Sequence, residues 1–367
     1  MAGPLTGVRV LEFAGSAPTA FVGTVLSGLG ADVVRVDRAP AAPGGERPPE
    51  NPLSRGRRSV ALDLKSPEGI EQALTLAEHA DLLVEGFRPG VADRLGIGPE
   101  AVHARNPRLV YGRLSGWGGQ GEWAGQGEWA GRAAHDLAVL ALTGALDTDP
   151  ATGAPVPPPT AYLSSFAGGA NAHVHGLLAA LHERERSGRG QVVDTALADG
   201  AALIATLIHQ WRAVPGNHTV TDAPHYTFYA AADGLYLAVA AIEPRLYQNL
   251  LEQLGLTEDD ALPDRADPAA WPALRALIAD RFATRDRAHW VKLFDAVDAG
   301  VAPVLTAEEA AEHHQLAARG AFVEVGDTVQ PAPASRFDRT PTDAPGRAPL
   351  PGEHTDEVLT EWSQASR

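Results

Sequence analysis

The 367-residue chain contains no cysteine and a single methionine, Met1. The lack of cysteine excludes disulfides, thiolate nucleophiles and cysteine-held zinc or iron–sulfur centres. No apolar run approaches the roughly 18–20 residues that a membrane-spanning helix needs. The N-terminal residues MAGPLTGVRVLEF lack a basic region followed by a long apolar run, so no signal peptide is predicted. We therefore expect a cytoplasmic protein without a membrane partner.

Lysine is also scarce, since Lys65 and Lys292 are the only two and arginine supplies nearly all of the 30 basic residues. The formal net charge of -16 opposes non-specific nucleic-acid binding, which needs a broad basic face. A small anionic ligand needs only a local group of arginines and is compatible with this charge. The length of the chain favours two domains.

The first 115 residues alternate strand-like and helix-like segments. The strands are predicted at 8–14, 32–37, 59–64, 81–86 and 108–115. A helix is predicted over 17–29, and another begins at Ser66-Pro67, with Ser as N-cap and Pro at the first helical position. This alternation predicts an α/β fold with a parallel sheet covered by helices on both faces.

A long helix is predicted over 162–185, and the stretch SGRGQVVDTALADG after it predicts a turn, a short strand and another helix. The pattern changes around Tyr226. Asp233-Gly234 lies between two short apolar runs and predicts a β-hairpin. Helices are predicted near 244–254, 271–283 and 287–297, an extended Pro-rich tail over about 326–350, and a last helix over 353–363. The predicted domains are a large domain at 1–224, a small α+β domain at 225–325 and a returning tail at 326–367.

A glycine-rich loop, Gly116 to Gly121, matches the G-x-G-x-x-G pattern of dinucleotide sites. That pattern must open a helix directly after the first strand of the sheet. Here it follows a late strand and runs into the duplicated unit GQGEWA, so a mobile loop is the better interpretation. Trp123 and Trp129 would then be partly exposed anchors or would cover a ligand.

His135 and Asp136 come next, just before the apolar run LAVLALTGAL, and so are predicted to start a helix. Backbone N–H groups at a helix start can hold an oxyanion. Asp136 is equally explained as a helix cap. Taken alone, His135 is more often a structural or exposed residue than a catalytic one.

Seven stretches of the sequence, taken together and in their order along the chain, indicate a protein family. They are MAGPLTGVRVLEFAG, LGADVVRVDR, RGRRSVALDLKSPEG, DLLVEGFRPGVADRLGIG, SGWGGQGEWAG…AHD, GLLAALHERERSGRGQVVDTALADG and ADGLYLAVAAIEPRLY. They resemble the class III CoA-transferase (CaiB/BaiF) family, and most closely its α-methylacyl-CoA racemase branch. The resemblance implies a Rossmann-like large domain, a smaller domain, an interlocked homodimer and an acyl-CoA substrate, with no metal and no cofactor beyond coenzyme A.

The resemblance also assigns roles to residues. His135 matches the catalytic base, with Asp136 beside it, and Glu243 matches its carboxylate partner. Arg38, Arg88 and Arg94 match the arginines that bind coenzyme A. The segment from Leu62 to Lys65 matches part of the adenine and phosphate contact, and residues 134–139, beginning with Ala134, match the lining of the thioester.

Three departures from the family pattern bear on function. Ala134 stands where the family has Gly, the loop is one GQGEWA unit longer, and Ser165 stands where the family has an aspartate. That aspartate is the second base of the racemases and carries the acyl group in the transferases. A serine hydroxyl is not ionised at neutral pH and cannot replace a carboxylate as a base.

Three functions follow as alternatives. The first is α-proton chemistry at an acyl thioester by His135 and Glu243, with His225, Tyr226, His173 or His175 as possible substitutes for the second base. The second is CoA transfer with Ser165 as the acyl-carrying nucleophile. The third is a repurposed thioester binder. The sequence leaves open the acyl group and whether the carrier is coenzyme A or an acyl-carrier protein.

Overall fold

The computed structural model describes residues 2–38, 51–119, 128–146, 154–156, 158, 162–214, 223–257 and 262–364. The chain divides into two compact units. The first unit comprises Met1–Ala145, Pro158–Leu207 and His314–Arg367, and the second comprises Leu146–Pro157 and Ile208–His313. The domain limits inferred from the sequence, at 224/225 and 325/326, stay a prediction.

The strands, in chain order, are β1 (Arg9–Phe13), β2 (Asp32–Asp37), β3 (Arg58–Ala61), β4 (Leu82–Glu85), β5 (Val110–Ser115), β6 (Val192–Ala196), β7 (Tyr226–Ala230), β8 (Tyr236–Ala240), β9 (Val301–Pro303), β10 (Phe322–Val325) and β11 (Thr328–Pro331). The helices are α1 (Ala17–Gly28), α2 (Pro67–Glu78), α3 (Val91–Leu95), α4 (Pro99–Arg105), α5 (Asp136–Leu142), α6 (Asn171–Ser187), α7 (Leu197–Ile204), α8 (Thr206–Arg212), α9 (Pro244–Leu254), α10 (Trp271–Phe282), α11 (Arg287–Asp295), α12 (Ala307–Glu312), α13 (His314–Arg319) and α14 (Thr355–Gln364).

A six-stranded sheet forms the centre of the first unit. All neighbouring strands are parallel, and their order is β3-β2-β1-β4-β5-β6. This is the strand order of Rossmann folds. The α/β class and the parallel sheet predicted from the sequence are therefore confirmed.

Helices cover both faces of this sheet. On one face, apolar side chains of α2, α4 and α14 pack with those of β1 to β5 in a single buried cluster. On the other face α6 approaches β5 closely, because a Cβ placed on Gly112 would meet His173 Nε2 at 2.7 Å and Leu177 Cδ2 at 2.8 Å. The predicted start of α2 is also confirmed, since the Ser66 hydroxyl accepts the Gly69 N–H at 3.0 Å.

The long helix predicted over 162–185 is present, but its first part is π-helical. Leu163–Ala170 forms the π-helical segment and continues directly into α6. This segment crosses α7 through glycines. A Cβ on Gly168 would collide with the Gly200 backbone, and one on Gly169 would collide with Leu197. A Cβ on Gly200 would in turn collide with the backbones of Gly168 and Gly169. The close crossing fixes Ser164 and Ser165, which precede the glycines.

The second unit is built on an antiparallel sheet, β7-β8-β9. The predicted hairpin is confirmed, with Gly234 in the left-handed region at φ 77. Leu237 and Val239 on β8 pack with Leu250 of α9 and Phe282 of α10 in a separate core. The three predicted helices of this region match α9, α10 and α11 to within two residues.

The C-terminal residues return to the sheet of the first unit. The His354 N–H donates to the Ser59 carbonyl at 2.9 Å, and Val358 and Trp362 of α14 are fully buried. The predicted extended tail is interrupted, because Thr328–Pro331 folds back on Phe322–Val325 as a two-stranded hairpin. Among the described residues no helix is both long and apolar enough to cross a membrane.

Candidate active site

The carboxyl ends of the parallel strands carry most of the predicted site residues of the first unit. In open α/β sheets ligands bind at this edge, where the strand order reverses, which here is between β1 and β4. Arg38 directly follows β2, Lys65 lies four residues after β3, and Arg88 lies three residues after β4. The fold therefore brings these cations to one edge of the sheet.

Arg38, Lys65, Arg88 and Arg94 are all exposed. No ion pair joins the side chains of these residues to an acidic residue in the described part of the chain. They remain available to an anionic ligand. Leu62 differs, because its side chain is 3% exposed and belongs to the core, so this side chain is not available to a ligand.

His135 is the N-cap residue of α5 and is exposed. Its backbone carbonyl accepts the N–H groups of Ala138 and Val139, at 2.9 Å and 3.1 Å. Ala134, the residue before it, lies against Gly116, where a Cβ would overlap the Ala134 side chain. The glycine at the end of β5 therefore lets the segment with His135 pack directly on the strand.

Asp136 caps a helix, although not the one that it begins. Its Oδ1 accepts the Ser165 N–H at 2.8 Å and the Ser164 hydroxyl at 2.7 Å, and its Oδ2 accepts the Leu163 N–H at 3.1 Å. These donors belong to the first turn of the π-helical segment, whose N–H groups have no partner within the helix. The carboxylate of Asp136 thus ties the start of α5 to Ser165, and it serves as a cap in this geometry.

Ser165 is 6% exposed and Ser164 is fully buried. Phe166 fixes the next position, because its ring stacks on Tyr162 at 5.0 Å and on Phe21 at 4.8 Å. The Ser165 N–H donates to Asp136, whereas the Ser165 hydroxyl makes no hydrogen bond to the described residues. The position that the resemblance assigns to a second base is therefore buried, ordered and neutral.

His173 does not suit the role of a substitute base. It is fully buried, and its Nδ1 lies 2.9 Å from the Thr195 hydroxyl. Burial lowers the pKa of His173 to about 3, so the imidazole stays neutral at physiological pH. His175, two residues on, is exposed on another face of α6.

Glu243, His225 and Tyr226 belong to the second unit. Glu243 is the exposed N-cap residue of α9, and Arg265 donates to the carbonyls of Ala241 and Ile242 just before it, both at 3.2 Å. His225 is buried, and this burial, with the nearby Arg265, lowers its pKa. His135 and Glu243 lie in different units, and their pairing stays a prediction.

The glycine-rich loop is described only at its two ends. The Trp117 and Trp129 rings meet edge to face at 5.3 Å, and the Arg132 guanidinium lies 4.4 Å from the Trp129 ring centre. Trp129 is 38% exposed, while Trp123 and the rest of 120–127 lie outside the described residues. Residues 116–119, directly after β5, are not helical, and the next helix in the described residues is α5, which begins at Asp136. The interpretation of the segment as a mobile loop stays a prediction.

Two features of this region were not predicted from the sequence. One is Ser164, whose hydroxyl completes the cap by Asp136. The other is a set of charged residues inside the sheet, including Glu85 and Arg113. The signal in the sequence was a charged residue within an otherwise apolar predicted strand. In the described part of the chain no group of His, Asp and Glu is arranged to hold a metal ion.

Comparison with known proteins identifies the family. Residues 5–355 match CoA-transferase family III. The chain is 41% identical to the α-methylacyl-CoA racemase of Mus musculus and 39% identical to that of Homo sapiens, each over 98% of this chain and 93% of the relative. Its fold matches the crystal structure of a CAIB/BAIF family protein from Brucella suis, with a TM-score of 0.82 and 24% identity over 99% of this chain and 100% of that one. The chain therefore belongs to CoA-transferase family III.

Proposed function

We propose that the protein exchanges the α-proton of an acyl-CoA thioester, in the manner of a racemase that lacks its usual second base. His135 takes the proton, and Glu243 is the carboxylate that orients and stabilises its protonated form. Ser165 occupies the place of the second base without supplying one. The racemases of mouse and human, to which the chain is about 40% identical, support this branch of the family over the transferases.

The observation that carries the proposal is the set of hydrogen bonds accepted by the Asp136 carboxylate. This carboxylate, next to His135, accepts the Leu163 N–H, the Ser164 hydroxyl and the Ser165 N–H in three hydrogen bonds of 2.7–3.1 Å. Residues far apart in sequence are thereby held together at the carboxyl edge of the sheet. A base that acts on carbon must be positioned in this way, because misplacement of the reacting groups sharply lowers the rate.

The test uses the native protein and a 2-methylacyl-CoA of defined configuration in deuterated water. We expect deuterium at the α-carbon with little loss of optical purity, because a single base returns the isotope to the face from which it took the proton. Mass spectrometry measures the deuterium and chiral chromatography measures the configuration. If no acyl-CoA exchanges its α-proton, the proposal fails and a repurposed thioester reaction becomes the leading function.

Coenzyme A binding provides a separate prediction. Arg38, Arg88 and Arg94 offer charge-assisted hydrogen bonds to phosphate, each of about 1.5–3 kcal/mol before solvent screening. Arg38→Ala is expected to weaken coenzyme A binding about tenfold or more, as measured by calorimetry. Arg186→Ala is the control, because Arg186 is exposed in the last turn of α6. Equal affinity in the native protein and in the Arg38→Ala, Arg88→Ala and Arg94→Ala variants would remove this assignment.

CoA transfer is the second candidate, because the family takes its name from it. It would need Ser165 to carry the acyl group after a neighbouring base takes its proton. The carboxylate of Asp136 is already bound by three donors, and no hydrogen bond activates the Ser165 hydroxyl in the described residues. Acyl-labelled Ser165, found by mass spectrometry after incubation with acyl-CoA, would favour this candidate.

We also propose that the chain works as the interlocked homodimer that the resemblance implies. Large apolar side chains of the first unit are between 40% and 67% exposed, namely Leu137, Leu142, Tyr162, Leu203, Ile204 and Leu207. Apolar surface of this kind is typical of a protein interface. Light scattering at micromolar concentration is expected to give twice the chain mass of 38.4 kDa, and a monomeric mass would contradict the homodimer.

A further inference from the structure

Three charged residues lie side by side within the parallel sheet. Glu85 on β4 pairs in register with Arg113 on β5, which pairs with Asp194 on β6. We call Glu85, Arg113 and Asp194 the charge ladder. Glu85 is 1% exposed and Arg113 is 5% exposed. Burying charged groups costs free energy unless they are paired and hydrogen-bonded, so the placement needs a reason.

The charge ladder is not fully hydrogen-bonded. Glu85 Oε1, Arg113 Nε and Asp194 Oδ2 are buried and have no hydrogen-bond partner among the described residues. A further carboxylate, that of Asp93 on α3, lies 3.9 Å from Arg113 Nη2. The Arg113 guanidinium lies 5.7 Å from the ring centre of Tyr111, and against the rise caused by burial its charge lowers the pKa of both Glu85 and Asp194. Such electrostatically costly groups concentrate at functional sites.

Glu85, at the β4 end of the charge ladder, holds the turn that carries Arg88. Glu85 Oε2 accepts the Phe87 N–H at 2.7 Å. On either side of this bond the turn is packed: the Phe87 ring lies 5.9 Å from that of Phe13, and a Cβ on Gly86 would come within 2.6 Å of the Thr19 side chain. Arg88 is therefore the first residue of the turn that is free to face solvent.

The same group of residues also contacts the helix that carries Arg94. Asp93, which faces Arg113, is the residue before Arg94 in α3. Gly90, in the left-handed region at φ 74, ends the turn and begins this helix. Both arginine-bearing segments are thus attached to the charge ladder, one through Glu85 and one through Arg113.

We propose that Glu85, together with Arg113, is a positioning residue for Arg88 and Arg94, and that its ionised carboxylate strengthens the binding of a phosphate-bearing thioester carrier. This inference rests on the proposed function, since it takes Arg88 and Arg94 as the phosphate-binding groups. It adds a dependence on pH that the arginines alone would not have, because their own charge is constant.

The pKa of Glu85 places this effect near neutral pH. Burial raises the pKa to about 7, the Phe87 N–H and Arg113 oppose the rise, and Asp93 and Asp194 add to it. Above pH 7 the carboxylate is ionised and accepts the Phe87 N–H as a charge-assisted bond, which is about twice as strong as a neutral one. The turn is then held more tightly, and affinity is expected to rise.

Stability is expected to change in the opposite direction. The folded protein keeps the Glu85 proton up to a pKa of about 7, whereas the unfolded chain loses it near the ordinary glutamate pKa of 4.5. Stability therefore falls as the pH rises through this window, and the loss is complete above it. A purely structural residue would lower stability and affinity together, so the opposite signs distinguish a positioning role.

The test compares the native protein with Glu85→Gln, which keeps the shape and the acceptor but cannot ionise. Calorimetry gives the Kd for coenzyme A, and thermal unfolding gives Tm, at pH 5.5 and pH 8.5. At pH 8.5 we expect Glu85→Gln to bind about fivefold more weakly and yet to unfold at a higher temperature than the native protein. At pH 5.5 the two proteins should bind coenzyme A equally, and the difference in Tm should be smaller than at pH 8.5. Titration of the coenzyme phosphates affects both equally and cancels.

Glu71→Gln is the matched control, because Glu71 is an exposed glutamate that pairs with Arg105 away from the turn. A direct readout is the Phe87 amide in protein labelled with ¹⁵N-phenylalanine, whose shift should titrate near pH 7 in the native protein only. If Glu85→Gln and the native protein show the same pH dependence of affinity, the positioning role is overturned while the coenzyme site stands. If neither protein binds coenzyme A at either pH, both proposals fall.

Discussion

Ser165→Asp is expected to raise the rate of inversion at the α-carbon by about 10²–10⁴, the range typical of a positioned general base. The backbone at this position is already fixed, because the Ser165 N–H donates to Asp136 Oδ1 at 2.8 Å. Ser165 is 6% exposed, and the new carboxylate would lie near that of Asp136. Both burial and a like charge raise a carboxyl pKa, which makes it a better base near neutral pH. Chiral chromatography of 2-methylacyl-CoA measures the inversion.

Two further variants distinguish the contribution of residue 165 from that of His135. Ser165→Asn has the shape of the aspartate without its basicity and should leave inversion at the native level. His135→Ala should abolish α-proton exchange in both the native and the Ser165→Asp backgrounds. If the native protein inverts both enantiomers efficiently and Ser165→Asp adds nothing, another residue supplies the second proton, and His225 and Tyr226 become the next residues to replace.

Arg57→Met is expected to lower the free energy of unfolding by about 3–5 kcal/mol, the usual result of leaving a buried charge without its partner. Arg57 Nε lies 2.7 Å from Glu12 Oε2, and both side chains are 1% exposed or less. Burial raises the pKa of Glu12 and lowers that of Arg57, and the opposite charge of the partner counteracts each shift. Urea-induced unfolding followed by tryptophan fluorescence measures the change.

The paired variant Glu12→Leu/Arg57→Met tests whether the uncompensated charge of Glu12 causes the loss of stability. Removing both charges should recover a large part of the loss, because no uncompensated charge then remains in the core. Arg105→Met is the control, since Arg105 forms exposed ion pairs with Glu71 and Glu78, and should cost no more than about 1 kcal/mol. A double variant that is less stable than Arg57→Met alone would contradict this account.

Much of the first unit was predictable from the sequence because its signals are local. Apolar runs of strand length gave β1, β2, β4 and β5, and Ser66-Pro67 gave the start of α2. The π-helical turns of Leu163–Ala170 were not predictable, because they arise where Gly168 and Gly169 meet α7 from a later part of the chain. The C-terminal hairpin of β10 and β11 was missed because its prolines favoured an extended tail.

By itself the sequence determined the α/β class, the positions of the main elements and, through the family resemblance, the residues worth testing. It also determined that Ser165 stands where a carboxylate was expected. Only the tertiary structure decided that Asp136 caps the segment that contains Ser165, that Leu62 belongs to the core, and that Glu85, Arg113 and Asp194 are neighbours. The physical reason is that caps, burial and strand register depend on contacts between residues far apart in the chain, whereas strand and helix patterns depend on neighbours in sequence.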